Sequence, residues 1–437
     1  MKSKSNQLHK KIITKITVYA LICILLIISL ASCDYLLYTF GIVDFEYEID
    51  FNTSTVRITG IGTITQRNTL AGVNVDIPET IEGYPVVAID DYAFKDNDKI
   101  FSVEIPSTIE YIGQGAFYNC TNLTIVYDFE KCTKLKTIES ETFSGCNSLK
   151  YVALPNNIVS IKEYAFKNCL NLKEINIPSG VTQIGQNAFD NCQSIEEIVI
   201  PNGIKTIEEK TFFSCLKLKN IVLPEGITTI NAFAFANCYE LETLKIPSTL
   251  QYMENGIFNS CHKLTRLDFP DGLLAINPGT FTKCISLSHL SIPASTEYIA
   301  WDAFDFCEIL QEISIDENNP LYHYIDGAIY GKNDNQIVRY LMGKTGEKFT
   351  IKEGIEIIGD AAFGGNSYLK ILNVPKSVKE IKQYAFYSSA IETINFYGTV
   401  EEWNDIEKDP LWNDNSADYT IYCTNGQISK DGKITFK

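Results

Sequence analysis

The stretch that decides the fold runs from Cys169 to Phe189 and reads CLNLKEINIPSGVTQIGQNAF. Apolar and polar residues alternate around Ile175 and Ile177, which predicts a short strand that buries these two side chains. Pro178 ends the strand, because proline has no N–H group to donate to a ladder. Residues 181–189 then bring the chain back along an opposite wall, where the final phenylalanine fills the space between the two walls.

This stretch is one copy of a sequence repeat with a period of 23. Phenylalanine marks its phase, with longer intervals only after the second and tenth members, at Phe94, Phe117, Phe143, Phe166, Phe189, Phe212, Phe235, Phe258, Phe281, Phe304, Phe363 and Phe386. A cysteine follows at the third position after nine of them, at Cys120, Cys146, Cys169, Cys192, Cys215, Cys238, Cys261, Cys284 and Cys307. One copy cannot bury its apolar faces alone, so the copies are predicted to stack into a solenoid with a continuous core.

Composition agrees with a folded repeat array outside the nucleic-acid-binding classes. The 437 residues are 45% apolar and 21% charged, with a net charge of −17. The segment 1–32 holds five lysines and no acid, so the rest of the chain carries 32 basic against 54 acidic groups, or −22. Nucleic acid is an unsuitable partner for such a chain, since its affinity comes from neutralisation of phosphate by lysine and arginine.

The N-terminus has the layout of a secretory signal. A basic stretch ends at Lys15, an apolar run covers residues 16–28, and Leu30-Ala31-Ser32-Cys33 follows. The run is short for a spanning helix, which needs about 20 residues. The last four residues resemble the lipobox of bacterial lipoproteins, which implies lipidation of Cys33 and export to the extracellular face of a bacterial membrane. An uncleaved membrane anchor is the alternative.

The repeat resembles the BspA-like class of bacterial leucine-rich repeat surface proteins, whose consensus has the same length. The resemblance implies a horseshoe or arc with short parallel β-strands on one face and irregular or short helical turns on the other. It also implies four regions: a signal peptide (1–32), an N-terminal lead-in (33–74), the repeat solenoid (75–397) with a hairpin-bearing insertion at about 316–350, and a C-terminal cap (398–437). Asp128 stands where a core aliphatic residue is expected, and three extra residues precede Phe143, so the repeat does not predict the pairing of residues 126–132.

The cysteine column is interpreted as a ladder of buried, reduced thiols, because free cysteine packs as a small hydrophobe. Thiols one coil apart point the same way, whereas a disulfide needs facing Cβ atoms. Occasional bridges and a metal site are the alternatives; zinc would require paired ligands within a few residues. We predict no metal and no cofactor.

No catalytic residue is predicted. The chain has four histidines, and those after Cys33 lack a carboxylate or second histidine at triad or ligand spacing. Gly343-Lys344-Thr345 resembles the end of a phosphate loop, but Val338 stands where that loop requires its first glycine. A glycoside hydrolase using the acidic end piece around Glu401 and Glu402 is the remote alternative.

Binding is predicted on the outward positions of the strands, which vary while the wall positions scarcely do. The predicted binding residues are Glu174, Asn176, Glu197, Asn220, Thr243, Lys245, Arg266, Asp268, His289 and Glu312. The expected function is non-catalytic recognition of an extracellular protein, on host matrix or another bacterial surface, as the resemblance implies for adhesins and surface antigens. Capture of glycans by a surface lipoprotein that serves uptake is the alternative.

Overall fold

The computed structural model describes residues 42–65 and 72–437, so the leader and Cys33 lie outside the described residues. The described chain is a β-solenoid of about 15 turns. It divides into two compact units. The first unit comprises the described residues up to Ile204 together with Lys210–Ile221, and the second comprises Lys205–Glu209 and Val222–Lys437.

The first unit contains strands throughout. In chain order they are β1 (Ile42–Asp50), β2 (Thr55–Thr65), β3 (Val73–Asp76), β4 (Thr80–Ile81), β5 (Tyr84–Ile89), β6 (Ile100–Glu104), β7 (Tyr111–Ile112), β8 (Ile125–Tyr127), β9 (Thr137–Ile138), β10 (Tyr151–Val152), β11 (Ser160–Ile161), β12 (Glu174–Ile175), β13 (Gln183–Ile184) and β14 (Glu197–Val199). Next come β15 (Thr206–Ile207), which belongs to the second unit, and β16 (Asn220–Val222), which pairs with β14.

The second unit continues the pattern. Its further elements are β17 (Thr229–Ile230), β18 (Tyr252–Met253), β19 (Arg266–Asp268), β20 (Ala275–Ile276), β21 (His289–Ile292), β22 (Tyr298–Ile299), β23 (Ser314–Ile315), β24 (Tyr322–Ile325), β25 (Ala328–Gly331), β26 (Gln336–Tyr340), β27 (Lys348–Thr350), β28 (Ile357–Ile358), β29 (Ile371–Val374), β30 (Glu380–Ile381), β31 (Thr393–Phe396), α1 (Val400–Asn404), β32 (Glu407–Lys408), β33 (Thr420–Tyr422), β34 (Gly426–Ser429) and β35 (Ile434–Phe436).

Each regular coil contributes two short parallel strands, one to each of two walls. In the first wall, β10 and β12 place Val152 opposite Ile175. In the second wall, β11 and β13 place Ile161 opposite Ile184. Partners in both walls are one repeat apart. The repeat solenoid predicted from the sequence is therefore confirmed. The second wall also contains a regular ladder of strands, which was not predicted from the sequence.

The phenylalanine column forms the centre of the core in each unit, as predicted. In the first unit, neighbouring rings from Phe94 to Phe212 stack with centroids 5.1–5.6 Å apart. In the second unit, the rings from Phe235 to Phe304 stack at 5.7–6.0 Å. Such stacking repeats the same apolar contact in each coil, and burial of a whole phenylalanine stabilises a fold by about 1.5–3 kcal/mol.

The cysteines form a second column beside these rings. Eleven cysteines in the described residues are buried with free thiols, and the nine of the predicted column are among them, so the predicted burial of this column is confirmed. The sequence did not show that most ladder thiols donate to the phenylalanine carbonyl of the preceding coil. Cys169 Sγ, for example, lies 3.2 Å from the Phe143 oxygen, and Cys192 Sγ lies 3.2 Å from the Phe166 oxygen.

The Asn-Cys dipeptide also has a backbone explanation. Asn119, Asn168 and Asn191 have φ values of 56°, 60° and 62°, in the left-handed region that asparagine tolerates better than most residues. These residues lie in the turns that join the column to the first wall. Asn191 Nδ2 also donates to Asn168 Oδ1 at 2.9 Å, so the asparagines link successive turns.

The irregular coil near Asp128 is accommodated by a single turn of 3-10 helix. Strand β8 pairs in register with β6, with Val126 opposite Val103. Asp128 then adopts a φ of 61°, and Phe129 enters the core with its ring 5.9 Å from that of Phe143. The extra residues thus add one buried aromatic side chain and leave the column in phase.

The long interval between Phe304 and Phe363 contains a hairpin and one further coil. Strand β24 pairs antiparallel with β25, which pairs antiparallel with β26. Tyr340, at the end of β26, lies one repeat before Phe363, and its ring centroid is 5.8 Å from that of Phe363. The column position in this coil is therefore held by a tyrosine.

The last coil is covered by aromatic side chains. Trp412 packs against Phe386 with ring centroids 5.4 Å apart, and its carbonyl accepts the Phe386 N–H. Trp403, in α1, is buried between Phe396 and Trp412. These contacts shield the end of the core from water. None of the helices in the described residues has the length and apolar content needed to cross a membrane.

Candidate functional site

The first wall places the predicted binding residues on its outer side. Strands there alternate a buried residue with an outward one, because successive side chains of a strand point to opposite faces. Nine of the ten predicted residues are exposed and His289 is half-buried. They divide between the two units: Glu174, Asn176, Glu197 and Asn220 lie in the first, and Thr243, Lys245, Arg266, Asp268, His289 and Glu312 lie in the second.

In the first unit, the structure brings two of the predicted residues into contact. Asn220 Nδ2 donates to Glu197 Oε1 at 3.0 Å, across neighbouring strands. Glu174 lies opposite Tyr151 in the parallel ladder. The Glu174 carboxylate has no hydrogen-bond or ion-pair partner among the residues that the structure describes. It is therefore available to a ligand.

In the second unit, three predicted residues form a charged cluster. Arg266 lies opposite His289 in the ladder and donates to both carboxylate oxygens of Asp268, at 2.8 and 3.1 Å. His289 Nε2 lies 3.9 Å from Asp268 Oδ1. The hydrogen bond from Arg266 lowers the pKa of Asp268 and raises that of Arg266. Both groups stay charged across the physiological range and present a dipolar patch to solvent.

The remaining predicted residues make fewer contacts. Thr243 forms an isolated parallel bridge with Arg266, and Lys245 Nζ lies 3.9 Å from Glu225. Both partners of that pair are exposed, so it adds little stability. Asn176, just after β12, and Glu312, shortly before β23, are both exposed.

Exposed apolar side chains on the first wall were missed as binding candidates. In the first unit Phe101, Tyr127, Tyr151 and Val199 are 42–63% exposed. Aromatic residues are enriched at the cores of protein interfaces, where they contribute large contact areas. The signal was present for Tyr127, Tyr151 and Val199, which hold outward positions of the alternation. Phe101 lies where the register between β3 and β6 shifts, so alternation does not predict its exposure.

The carboxylates of the acidic end piece, Glu401 and Glu402, have structural roles. Glu402 closes a capping box at the start of α1, since Glu402 Oε2 accepts the Thr399 N–H at 2.8 Å while the Thr399 hydroxyl accepts the Glu402 N–H. Glu401 accepts a hydrogen bond from Asn425 at 2.9 Å. Hydrogen bonds lower the pKa of both carboxyls. A glycosidase acid needs a raised pKa, so this pair does not suit that chemistry.

The histidines are separated from one another. The His262 ring stacks on Tyr239 with centroids 4.4 Å apart. Burial is the main cause of the lowered pKa of His323. Within residues 42–65 and 72–437, no group of three or more histidine, cysteine, aspartate or glutamate side chains is placed to hold a metal ion.

Comparison with known proteins defines the class. The family model for BspA type leucine rich repeat regions matches residues 87–219, 205–325 and 340–407, with six copies. These segments cover more than half of the chain, which belongs to this family of bacterial leucine-rich repeat proteins.

Solved structures show the same fold. A leucine-rich repeat protein from Bacteroides ovatus is 26% identical, with a TM-score of 0.57, over 87% of this chain and 98% of that one. A leucine rich cell surface protein from Faecalibacterium prausnitzii is 24% identical, with a TM-score of 0.51, over 84% and 98% of the two chains. A search of curated proteins gives no significant match.

Proposed function

We propose that the chain is a surface-displayed, non-catalytic recognition protein that binds an extracellular protein through the outward side of its first wall. The observation that carries this proposal is the difference between buried and outward positions within each coil. Buried positions repeat the same residue types, whereas outward positions differ from coil to coil, as Glu174, Asn220 and Arg266 illustrate. Membership of a leucine-rich repeat family supports protein binding as the general role.

The exposed surface suits a protein partner. In the first unit it combines charged groups, such as Glu174 and Glu197, with exposed aromatic rings, such as Tyr127 and Tyr151. Protein interfaces combine an apolar, aromatic centre with a polar rim. An adhesin-like role toward host matrix or another bacterial surface agrees with this mixture and with the family resemblance.

The proposed location is the outer surface of a bacterial membrane, with the protein held there by lipid on Cys33. The basic and apolar leader followed by the lipobox-like motif supports this proposal. Two acyl chains on one cysteine would give stable anchoring. The proposed organisation is a leader (1–32), a lead-in (33–74), the repeats (75–397) and a cap (398–437).

Anchoring is tested by Cys33→Ala in the full-length chain. The variant is expected to lose incorporation of labelled palmitate and to leave the detergent phase in a phase-partition assay. The control is Cys423→Ala, which should behave as wild type. Labelled lipid on the Cys33→Ala protein would contradict the proposal.

Partner binding is tested by capture from host and bacterial extracts, followed by pairwise measurement with each purified partner. Charge reversal at Glu174, Glu197 and Arg266 should weaken the pairwise affinity at least tenfold. Glu297→Lys, an exposed residue just before second-wall strand β22, is the matched control and should bind as wild type. Equal affinity for all variants would remove the first wall as the site. The alternative, glycan capture, is supported by a separate cleft in the second unit.

A further inference from the structure

A cleft of about 470 Å³ opens where the first wall of the second unit is interrupted. Strand β23 ends one first-wall sheet, and β27 begins the next. The inserted hairpin separates them. Gln311 precedes β23, Lys348 and Thr350 belong to β27, and Asp326 lies in the turn between β24 and β25; all four line the cleft.

Tyr340 also lines this cleft, and it differs from the other members of its column. Its backbone N–H donates to the Ala362 carbonyl at 2.7 Å, as the Phe166 N–H donates to Ala188. The side chain is 3% exposed and its ring packs on Phe349, with centroids 4.5 Å apart. A phenylalanine would fill the same core position.

The hydroxyl is what the tyrosine adds, and it has no partner. Among residues 42–65 and 72–437, no group is within hydrogen-bond distance of the Tyr340 oxygen. The oxygen points toward Gly346, which also lines the cleft; a carbon added at Gly346 would lie 3.9 Å from it. Burial raises the pKa of Tyr340, so the hydroxyl remains a donor at neutral pH. The ring is buried but the oxygen opens onto the cleft, where a ligand or water can complete its hydrogen bonding.

Two lysines line the same cleft as this hydroxyl. Lys344 is half-buried, with its stem packed against Gly327, and Lys348 is exposed. Within the described part of the chain, neither ammonium is paired with a carboxylate or bonded to any acceptor. Two other lysines of this unit each pair with a glutamate one coil away: Lys263 with Glu240 and Lys379 with Glu356, each at 2.6 Å.

We propose that this cleft binds an acidic sugar residue of a glycan. Its carboxylate or sulfate would lie on Lys344 and Lys348, and its hydroxyls would bond to Tyr340, Thr350 and Asp326. The cleft offers donors and acceptors together, which suits a ligand with several hydroxyl groups. An acidic peptide would use the lysines but lacks the several hydroxyl groups that Tyr340, Thr350 and Asp326 could bond. The site goes beyond the protein-binding role proposed above and does not depend on it.

The test measures binding to the full-length chain in detergent by titration calorimetry. Two acidic disaccharides are used: digalacturonate carries carboxylates, and 3′-sulfolactose carries a sulfate. Lactose is the matched neutral disaccharide, and a Glu-Glu dipeptide represents an acidic peptide. We expect saturable binding of at least one acidic disaccharide, with lactose at least about tenfold weaker. The stronger of the two acidic sugars identifies the anionic group.

Variants locate the binding. Lys344→Met and Lys348→Met should each weaken it about tenfold or more, because each removes a charge-assisted hydrogen bond. Tyr340→Phe should weaken it several-fold in a protein that still folds, since the other coils hold phenylalanine at this position. Lys352→Met, an exposed lysine outside the cleft, is the matched control.

Three results would overturn the proposal. They are no saturable binding of either acidic disaccharide, equal or tighter binding of lactose or Glu-Glu, and wild-type affinity in both cleft lysine variants. None of these results bears on the first-wall protein site, whose own variants are measured separately.

Discussion

The guanidinium of Arg339 donates to Asp305 at 2.7 Å, although the two residues are far apart in the sequence. Arg339 is 2% exposed and also donates to the carbonyls of Ala361 and Gly364, at 2.6 and 3.4 Å. One side chain therefore ties the coil before the insertion to the coil after it. The hairpin in between is held in place without a continuous first-wall ladder.

Replacement of Arg339 by methionine should destabilise the second unit by about 3–5 kcal/mol, because it leaves Asp305 half-buried without its cation and removes the side-chain donor to the Gly364 carbonyl. The Ala361 carbonyl keeps the Gly364 N–H as its donor. The measurement is the urea midpoint of unfolding followed by circular dichroism. Arg266→Met removes an exposed arginine–aspartate pair and should change the free energy of unfolding by less than about 1 kcal/mol. Similar losses of unfolding free energy in both variants would show that the Arg339 contacts stabilise the fold no more than an exposed ion pair does.

The thiol ladder predicts a moderate cost for losing one member. Cys192→Ala removes a buried sulfur and the thiol that donates to the Phe166 carbonyl, which keeps its backbone donor from Cys169. The expected loss in the free energy of unfolding is about 1–2 kcal/mol. Cys423→Ala, outside the ladder, serves as the comparison. A Cys192→Ala protein as stable as wild type would mean that the ladder only fills space.

Alkaline pH should destabilise the fold through the same thiols. Burial raises the pKa of Cys120 to about 12, from an ordinary value of 9.0. The folded chain therefore holds protons that the unfolded chain releases above pH 9, so stability is complete below pH 9 and falls as pH rises toward 12. Each such thiol adds a slope of up to about 1.4 kcal/mol per pH unit.

The check is the urea midpoint between pH 7.5 and 9.75, below the range where most tyrosines titrate. Cys120→Ala should make the decline above pH 9 shallower. A midpoint that stays constant to pH 9.75 would be incompatible with thiols that must remain protonated.

Tyr340→Phe should leave stability unchanged or raise it by up to about 1 kcal/mol, because the hydroxyl it removes has no protein partner. The measurement is again the urea midpoint of unfolding, compared between the variant and the wild type. Tyr324→Phe is the matched control, since the Tyr324 hydroxyl donates to the Gln311 carbonyl at 2.8 Å and its loss should cost stability. A clear loss in Tyr340→Phe would reveal a bond that the geometry does not contain.

The sequence predicted what repetition encodes. The phenylalanine and cysteine columns follow from a strict period, and stacking of equal coils is the direct physical consequence. The second-wall strands escaped prediction because each is too short for alternation to be visible. Pairs such as Ile161 and Ile184 become a ladder only once the coils are stacked.

The candidate site was predicted in part. The outward direction of Glu174 and Arg266 follows from alternation, but which outward residues touch each other depends on side-chain conformation. Tyr340 was missed because the long gap between Phe304 and Phe363 hid its place in the column, although it lies one repeat before the second of these. The cleft beside it depends on an interrupted sheet, and no local pattern in the sequence reports that.

Most ladder thiols donate to the coil immediately before their own, so removal of a complete repeat would join two neighbours that already match. Gene duplication or deletion in steps of one repeat could then lengthen or shorten the protein without redesign of its interior. The inserted coil is the exception, because Arg339 bonds to the coil before it and to the coil after it. Evolution could thus change the number of repeats while keeping the inserted coil constant.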